Sequence, residues 1–294
     1  MINYKQLHHF WNVARAGGIA RASERSGLAP QTLSGQIAAL EASLGATLFR
    51  REGRRLVLTE TGHTVLAYAE EIFRAGAELE EAVANRASSR TIPFRVGVAD
   101  VVPKGIAWLL LSPSMQLGER VRIHCREDKL ERLLGDLAIH KLDLVLADSP
   151  MPTHMDVRGQ SQKLVESRIS LFGAERLTRT LGDDFPACLD RVPLLLPGAD
   201  ATIRQPLLHW FERNRVTPSI VGEFDDSALM KSFGQAGIGV FPAPELIADQ
   251  ICRQYEVSRI GKPLDLVESF YAITVSRRNT HPATLAICAP QARD

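Results

Sequence analysis

The chain has 294 residues, 45% of them hydrophobic and 23% charged, with a formal net charge of +1. This is the composition of an ordinary soluble globular protein long enough for two or three domains, and it excludes a disordered chain. The longest apolar runs, such as Ile106 to Leu111 and Val192 to Leu196, fall far short of the roughly 20 residues of a membrane span. No apolar core with a small-residue cleavage site follows Met1, so a cytoplasmic location without membrane contact is expected. Cys125, Cys188, Cys252 and Cys288 show no Cys-x-x-Cys pair and no neighbouring histidine at metal-ligand spacing, and read as reduced thiols. Cys125 shares the strand parity of Val121 and Ile123 and is expected to pack inward.

The small net charge conceals an asymmetry. From Met1 to Leu58 eight basic residues face three acidic ones, whereas Thr59 to Arg86 holds two basic against six acidic. A basic head on an acidic helix implies that only the head meets phosphate.

Leu7, Phe10, Trp11 and Ala14 recur at helical spacing and predict a first helix that ends at Gly17-Gly18. A short second helix covers Ala20 to Arg25 and stops at Gly27, and Pro30 then opens a third. In the third helix Leu33, Ile37, Leu40 and Leu44 form the buried stripe, which leaves Ala29, Pro30, Gln31, Thr32, Ser34, Gly35 and Gln36 as a free, uncharged face. Two short helices at a tight break read as a helix-turn-helix, whose second helix offers its N-terminal end to base edges. Glutamine pairs with adenine N6 and N7, hydroxyls serve bases or phosphates, and Gly35 allows close approach. Arg50, Arg51, Arg54 and Arg55 surround Glu52-Gly53 and predict a two-stranded wing that grips phosphate or enters a minor groove. The DNA-binding domain is thus expected over residues 1–58.

Thr59 is a candidate cap for a long helix, and residues 59–90 are read as a linker helix followed by a hinge. Its stripe of Val65, Leu66, Ala69, Ile72 and Phe73 is expected to meet a partner helix, or else the chain's own effector half.

At this point the residues resemble the LysR-type transcriptional regulators. The resemblance rests on Leu7, Phe10, Val13, Ala14, Gly17 and Ala22, on Leu33-Ser34, Gln36-Ile37, Leu40-Glu41 and Leu44-Gly45, and on Leu48-Phe49, Arg51, Leu58-Thr59 and Gly62. It implies a winged head, an antiparallel linker-helix dimer that often builds a tetramer, and a periplasmic-binding-protein-like effector domain. Ile2-Asn3-Tyr4, Phe10-Trp11, Pro30-Gln31-Thr32 and Gly35-Gln36-Ile37 resemble the members that activate a sodium/proton antiporter gene. The resemblance therefore implies promoter DNA and RNA polymerase as partners, with sodium or pH as the signal and no resident cofactor beyond a sodium ion or small effector. Ser23 and Ser26 stand where the family has Ala and a large apolar residue, which predicts looser packing of the second helix.

From Phe94 strands and helices alternate, so the fold class is α/β with an all-α winged helix-turn-helix head, a long linker helix and a two-lobed effector domain. Lobe I is expected over about 91–163 and 265–294, and lobe II over about 164–264, with a strand at Ile238 to Phe241 and a last strand at Val267 to Val275. The C-terminal helix is expected to be short, because Pro282 and Pro290 fall in it. Loops after the strands should line a cleft, giving Asp100, Val101, Val102, Asp148, Ser149, Gly198, Ala199, Thr202, Asp225 and Phe241 as effector contacts. Helix N-termini there suit an organic anion, whereas Asp100, Asp148, Asp200, Asp225 and Asp226 together suit a hard cation or a proton-sensitive network. Asp226 also reads as a plain helix cap.

The rival readings are an enzyme or a solute-binding protein on the two-lobed half. No Gly-x-Ser-x-Gly, phosphate loop or His-Glu-x-x-His occurs, and Gly237-Ile238-Gly239 is too short for a dinucleotide fingerprint, so catalysis is not expected. A solute-binding protein has no use for the arginines between 50 and 55.

Overall fold

A computed structural model describes residues 2–53, 55–84, 91–118, 120–153, 159–275 and 280–289. The chain divides into two units, Met1–Arg90 and Thr91–Asp294.

In the first unit Asn3 caps α1 (Tyr4–Ala16) by accepting hydrogen bonds from the Lys5 and Gln6 amides at 3.0 and 3.3 Å. The short α2 (Ile19–Ser26) ends at Gly27, whose φ of 70° is the left-handed geometry the tight turn needs. Pro30 then starts α3 (Pro30–Leu44). Phe10, Val13, Leu33 and Leu40 are fully buried between these helices. Ala22 is the one buried residue of α2; Ser23 donates to the Leu28 carbonyl at 2.6 Å across the turn, and the exposed Ser26 donates to the Ala22 carbonyl at 2.7 Å.

The wing is β1 (Phe49–Glu52) paired antiparallel with β2 (Arg55–Leu58) around Gly53, and α4 (Glu60–Ala84) follows. One junction welds these pieces. The Glu41 carboxylate of α3 accepts the Leu48 and Phe49 amides at 2.6 and 3.1 Å, and Thr59 donates to the Thr47 carbonyl at 2.7 Å while capping the Gly62 amide at 2.9 Å. Gly62 lies so close to the chain that a Cβ there would stand 2.1 Å from the Leu48 carbonyl oxygen. Along α4, Ala69 is fully buried, and Val65, Leu66, Ile72 and Phe73 pack half-buried on the head's own core. The expected partner-facing stripe is therefore largely used within the chain, with the Phe73 ring 5.2 Å from that of Trp11 and 5.0 Å from that of His8.

In the second unit β3 (Thr91–Ala99), β4 (Arg120–Asp128) and β5 (Leu144–Ala147) are parallel, with α5 (Lys104–Leu111) and α6 (Leu130–Ala138) as crossovers. Every residue of β5 is buried, as befits a strand covered on both faces. β6 (Gly159–Ala174) is 16 residues long, and a second group of elements follows it: α7 (Glu175–Thr178), β7 (Pro193–Pro197), α8 (Arg204–Arg213), β8 (Ser219–Phe224), α9 (Ser227–Gln235), β9 (Phe241–Pro244), α10 (Ala248–Tyr255) and β10 (Val257–Ile260). The return strand β11 (Val267–Val275) and α11 (Pro282–Cys288) close the first lobe. The sheet order is β10-β6-β11-β5-β3-β4, with β9 also on β6, while β7 and β8 form a parallel pair.

β6 belongs to both lobes. Up to Arg168 it pairs with β11, and from Ile169 onward with β9 and β10, so the change of partner falls a few residues beyond the expected crossing. The chain returns alongside, with the Leu264 amide donating to the Ile169 carbonyl at 2.7 Å and the Ile169 amide to the Leu266 carbonyl at 3.1 Å. Two expectations are corrected. The strand read at Ile238 to Phe241 is β9, from Phe241 to Pro244, because the chain leaves a left-handed turn at Gly237, φ 67°, and pairing with β6 begins only at Phe241 opposite Phe172. Cys125 is exposed, because β4 is an edge strand whose cover extends over Val121 and Ile123 but not over Cys125.

Replacing Gly62 with Ala forces backbone apart at the junction and is expected to destabilise the head by about 1–3 kcal/mol, as for other overpacking changes. Thermal unfolding followed by circular dichroism checks this, and an unshifted head transition would show that the junction yields freely.

Candidate DNA-binding surface and effector cleft

The third helix begins without a side-chain cap: Ala29 holds an extended conformation, and no side-chain oxygen meets the first turn. Ala29, Pro30, Gln31, Thr32, Ser34 and Gly35 are exposed and Gln36 is half-buried, while Leu33, Ile37 and Leu40 anchor the opposite side. The free face thus carries side-chain amides and hydroxyls without a charge, while the Thr32 and Leu33 amide N–H groups donate to the Ala29 carbonyl at 3.0 and 3.2 Å, which suits base edges and leaves phosphate to other residues. Arg50 and Arg51 are exposed on β1, with Arg50 held 2.8 Å from Glu52. Arg55 pairs with Glu52 in the hairpin register, and Arg54 lies outside the described residues.

The cleft of the second unit forms where the loops after β3, β7 and β8 meet β9 and β11. Its cavity measures about 40 Å³. Val101, Asp225, Pro242 and Met230 line it, together with two charged residues that the sequence reading missed, Lys231 on α9 and Glu268 on β11. Lys231 is only 4% exposed and Glu268 only 6%. Lys231 donates to the Ser227 hydroxyl at 3.2 Å. Burial pushes the Glu268 carboxyl up to about 8, with Asp148 adding to the rise and Lys231 opposing it. Burial likewise lowers the Lys231 ammonium to about 8, against the pull of Asp226 and Glu268, while Lys104 adds to the fall. Glu268 could have been found from its parity with the buried Phe270 and Ala272 in the strand read at Val267 to Val275. Lys231 had no such signal.

The expected carboxylate cluster is not assembled, and among the described residues no group of three His, Cys, Asp or Glu could hold a metal ion. Asp100 and Asp200 both reach the Lys129 ammonium, at 2.9 and 2.7 Å. Asp226 caps α9 by accepting the Ala228 amide at 2.7 Å. Asp148 is buried, which raises its carboxyl, and it accepts the Thr202 amide at 2.9 Å. Lys129–Asp200 and Asp148–Thr202 both tie lobe I to lobe II. Of the other expected contacts, Val102 and Phe241 are fully buried in the core rather than in the cleft. Val102 turns inward beneath the loop that exposes Val101, and Phe241 stacks on Phe172 at 5.7 Å while lying against Gly234 of α9. Gly198 is buried against Asp225, where a Cβ would stand 2.0 Å from its carboxylate, whereas Ser149 and Ala199 do not line the cavity.

Residues 4–63 match the family described as the bacterial regulatory helix-turn-helix protein of the lysR family, and residues 89–289 match the LysR substrate binding domain. The chain is 36% identical over 287 residues to the transcriptional activator protein NhaR of Escherichia coli, spanning 98% of this chain and 94% of that protein. Among solved structures, ArgP from Mycobacterium tuberculosis aligns with a TM-score of 0.64 at 20% identity, covering 96% of this chain and 93% of that one. Full-length CbnR complexed with its target DNA aligns at 0.54 and 19% identity, covering 97% and 96%. No described helix is long and apolar enough to cross a membrane. With both halves matched in order along nearly its whole length, the protein belongs to the LysR family of DNA-binding transcriptional regulators.

Proposed function

We propose that the chain is a cytoplasmic transcriptional activator, not a catalyst, that binds an inverted-repeat promoter as a homodimer or homotetramer, engages RNA polymerase there, and responds to sodium or pH through its cleft. The observation that carries this reading is the uncapped, uncharged N-terminal half of α3 exposed beside an arginine wing. The identity with an activator over almost the full chain supports the sign of regulation. For dimerisation the support moves along α4: Tyr68 and Leu79 are 64% and 65% exposed, apolar surface that a second copy would cover. The half-buried Val65, Leu66, Ile72 and Phe73 would contribute only their outer edges.

In the cleft, Lys231 and Glu268 titrate around the same pH. Below about 8 the pair carries an ammonium and a neutral carboxyl, and above it an amine and a carboxylate, so the pair itself goes from net positive to net negative. A monovalent cation is then favoured on the alkaline side. A cavity of about 40 Å³ accommodates a water or a small ion, whereas an organic ligand calls for roughly 300 Å³ or more. Lys231 favours the second reading, an organic anion, which would enter only with the lobes apart.

Gln31→Ala and Gln36→Ala should each cost about 1–3 kcal/mol on the cognate site and little on random DNA, whereas Arg51→Ala should weaken both alike and lower the salt slope by about one. Fluorescence anisotropy across a salt series tests this division, and equal losses on both DNAs for all three variants would refute it. Exchanging potassium for sodium at constant ionic strength should change promoter footprints more at pH above 8 than at neutrality, and Glu268→Gln, which leaves Lys231 to titrate alone, should reduce that pH dependence. A sodium response of the same size on both sides of pH 8, or one untouched in Glu268→Gln, would remove the pair from the mechanism.

A further inference from the structure

Arg168 and Ile169 are adjacent on β6 and therefore face opposite ways. Ile169 lines the cleft, whereas Arg168 lines a second and much larger recess of about 560 Å³ on the other face of the strand. The two cavities share no lining residue. The floor of the recess is aromatic. Trp210 of α8 is 4% exposed, and its ring lies 6.0 Å from that of Phe185. Phe185 can lie there because it packs on Gly261, where a Cβ would come within 2.2 Å of the ring and where φ is +63°. Three cations, Arg168, Arg213 and Lys262, stand around this floor with one carboxylate, Asp265, which is 3.4 Å from Arg213. Among the described residues neither Arg168 nor Lys262 makes an ion pair.

We propose that this recess binds a small aromatic carboxylate, its ring on Phe185 and Trp210 and its carboxylate among Arg168, Lys262 and Arg213. The volume falls within the roughly 300–1,000 Å³ of ordinary ligand sites, which are largely apolar with a few convergent polar groups. Arginine supplies the paired N–H donors that a carboxylate takes up. The place in the fold gives such a ligand leverage. Arg168 ends the lobe I part of β6, and Leu264 and Asp265 lie on the returning segment, whose Leu264 amide is bonded to the Ile169 carbonyl at 2.7 Å. A bound carboxylate would join both crossing segments to α8, so it acts on the angle between the lobes without entering the cleft.

Isothermal titration of the full-length protein with benzoate and 2-naphthoate, and with inorganic phosphate as a comparison, tests this. Saturable binding of the aromatic acids is expected, weakened about tenfold or more by Arg168→Glu and by Lys262→Glu, as for loss of a charge-assisted hydrogen bond. Both side chains lie at the surface, so each variant should keep the wild-type unfolding transition, and Lys231→Met in the cleft should still titrate saturably. The proposal is overturned if neither acid binds, if binding survives both charge reversals, if it is lost in Lys231→Met, or if phosphate binds as tightly as benzoate.

Discussion

Strand β6 carries both lobes of the effector unit on one continuous backbone, and the behaviour of that unit depends on this. Only two segments cross, β6 at Arg168–Ile169 and the return through Leu264–Leu266, and they are hydrogen-bonded to each other. Two such segments permit opening about a hinge while keeping the register of each lobe. Polar contacts across the lobes include the Lys129–Asp200 ion pair and the Asp148 bond to the Thr202 amide, beside a buried apolar cluster that holds Met230, Phe241 and Ile247 of lobe II together with Val102 and Ile106 of lobe I. Lys129 and Asp200 are 39% and 60% exposed, and an ion pair in such surroundings contributes about 0–1 kcal/mol. The ion pair by itself therefore adds little to closure.

The polar residues inside the cleft obey a different balance. A lone buried charge is costly, and the cheaper course is to shift its pKa toward neutrality. Lys231 and Glu268 do this in opposite directions and meet near the same pH. Asp100, Asp200 and Asp226 escape the problem through an ion pair or a helix cap, and so do not contribute free carboxylates to the cavity. Lys231 and Glu268 therefore carry the buried chemistry of the cleft, and of the expected aspartates Asp225 lines it.

The head follows a simpler rule. Its reading surface is uncharged, and the positive charge sits on the wing and in the surrounding helices, so base contact and phosphate contact are divided between elements. That division holds because Glu41, Thr59 and Gly62 lock α3, the wing and α4 to one another. The three residues stand among those that carry the family resemblance, and their contacts supply its physical reason.

The helices of the head, the turn at Gly27, the start at Pro30 and the hairpin tip at Gly53 were all legible in the sequence, because glycine, proline and apolar spacing act within a few residues of where they stand. The alternation of strands and helices from Phe94 could be read for the same reason. Local signals say nothing of what a side chain meets from a distant segment. Asp200 finds Lys129 across 71 residues, Arg95 and Asp143 meet across 48, and Gly62 presses on Leu48 by way of the wing. The sequence by itself thus determined the helix-turn-helix, its uncharged face and the two-lobed α/β order, all of them products of short-range backbone preference and periodicity. Tertiary structure alone decided that Phe241 and Val102 are core, that Asp100, Asp148, Asp200 and Asp226 are already partnered and that Lys231 and Glu268 share the cavity, because burial and pairing are properties of the folded neighbourhood and not of the residue.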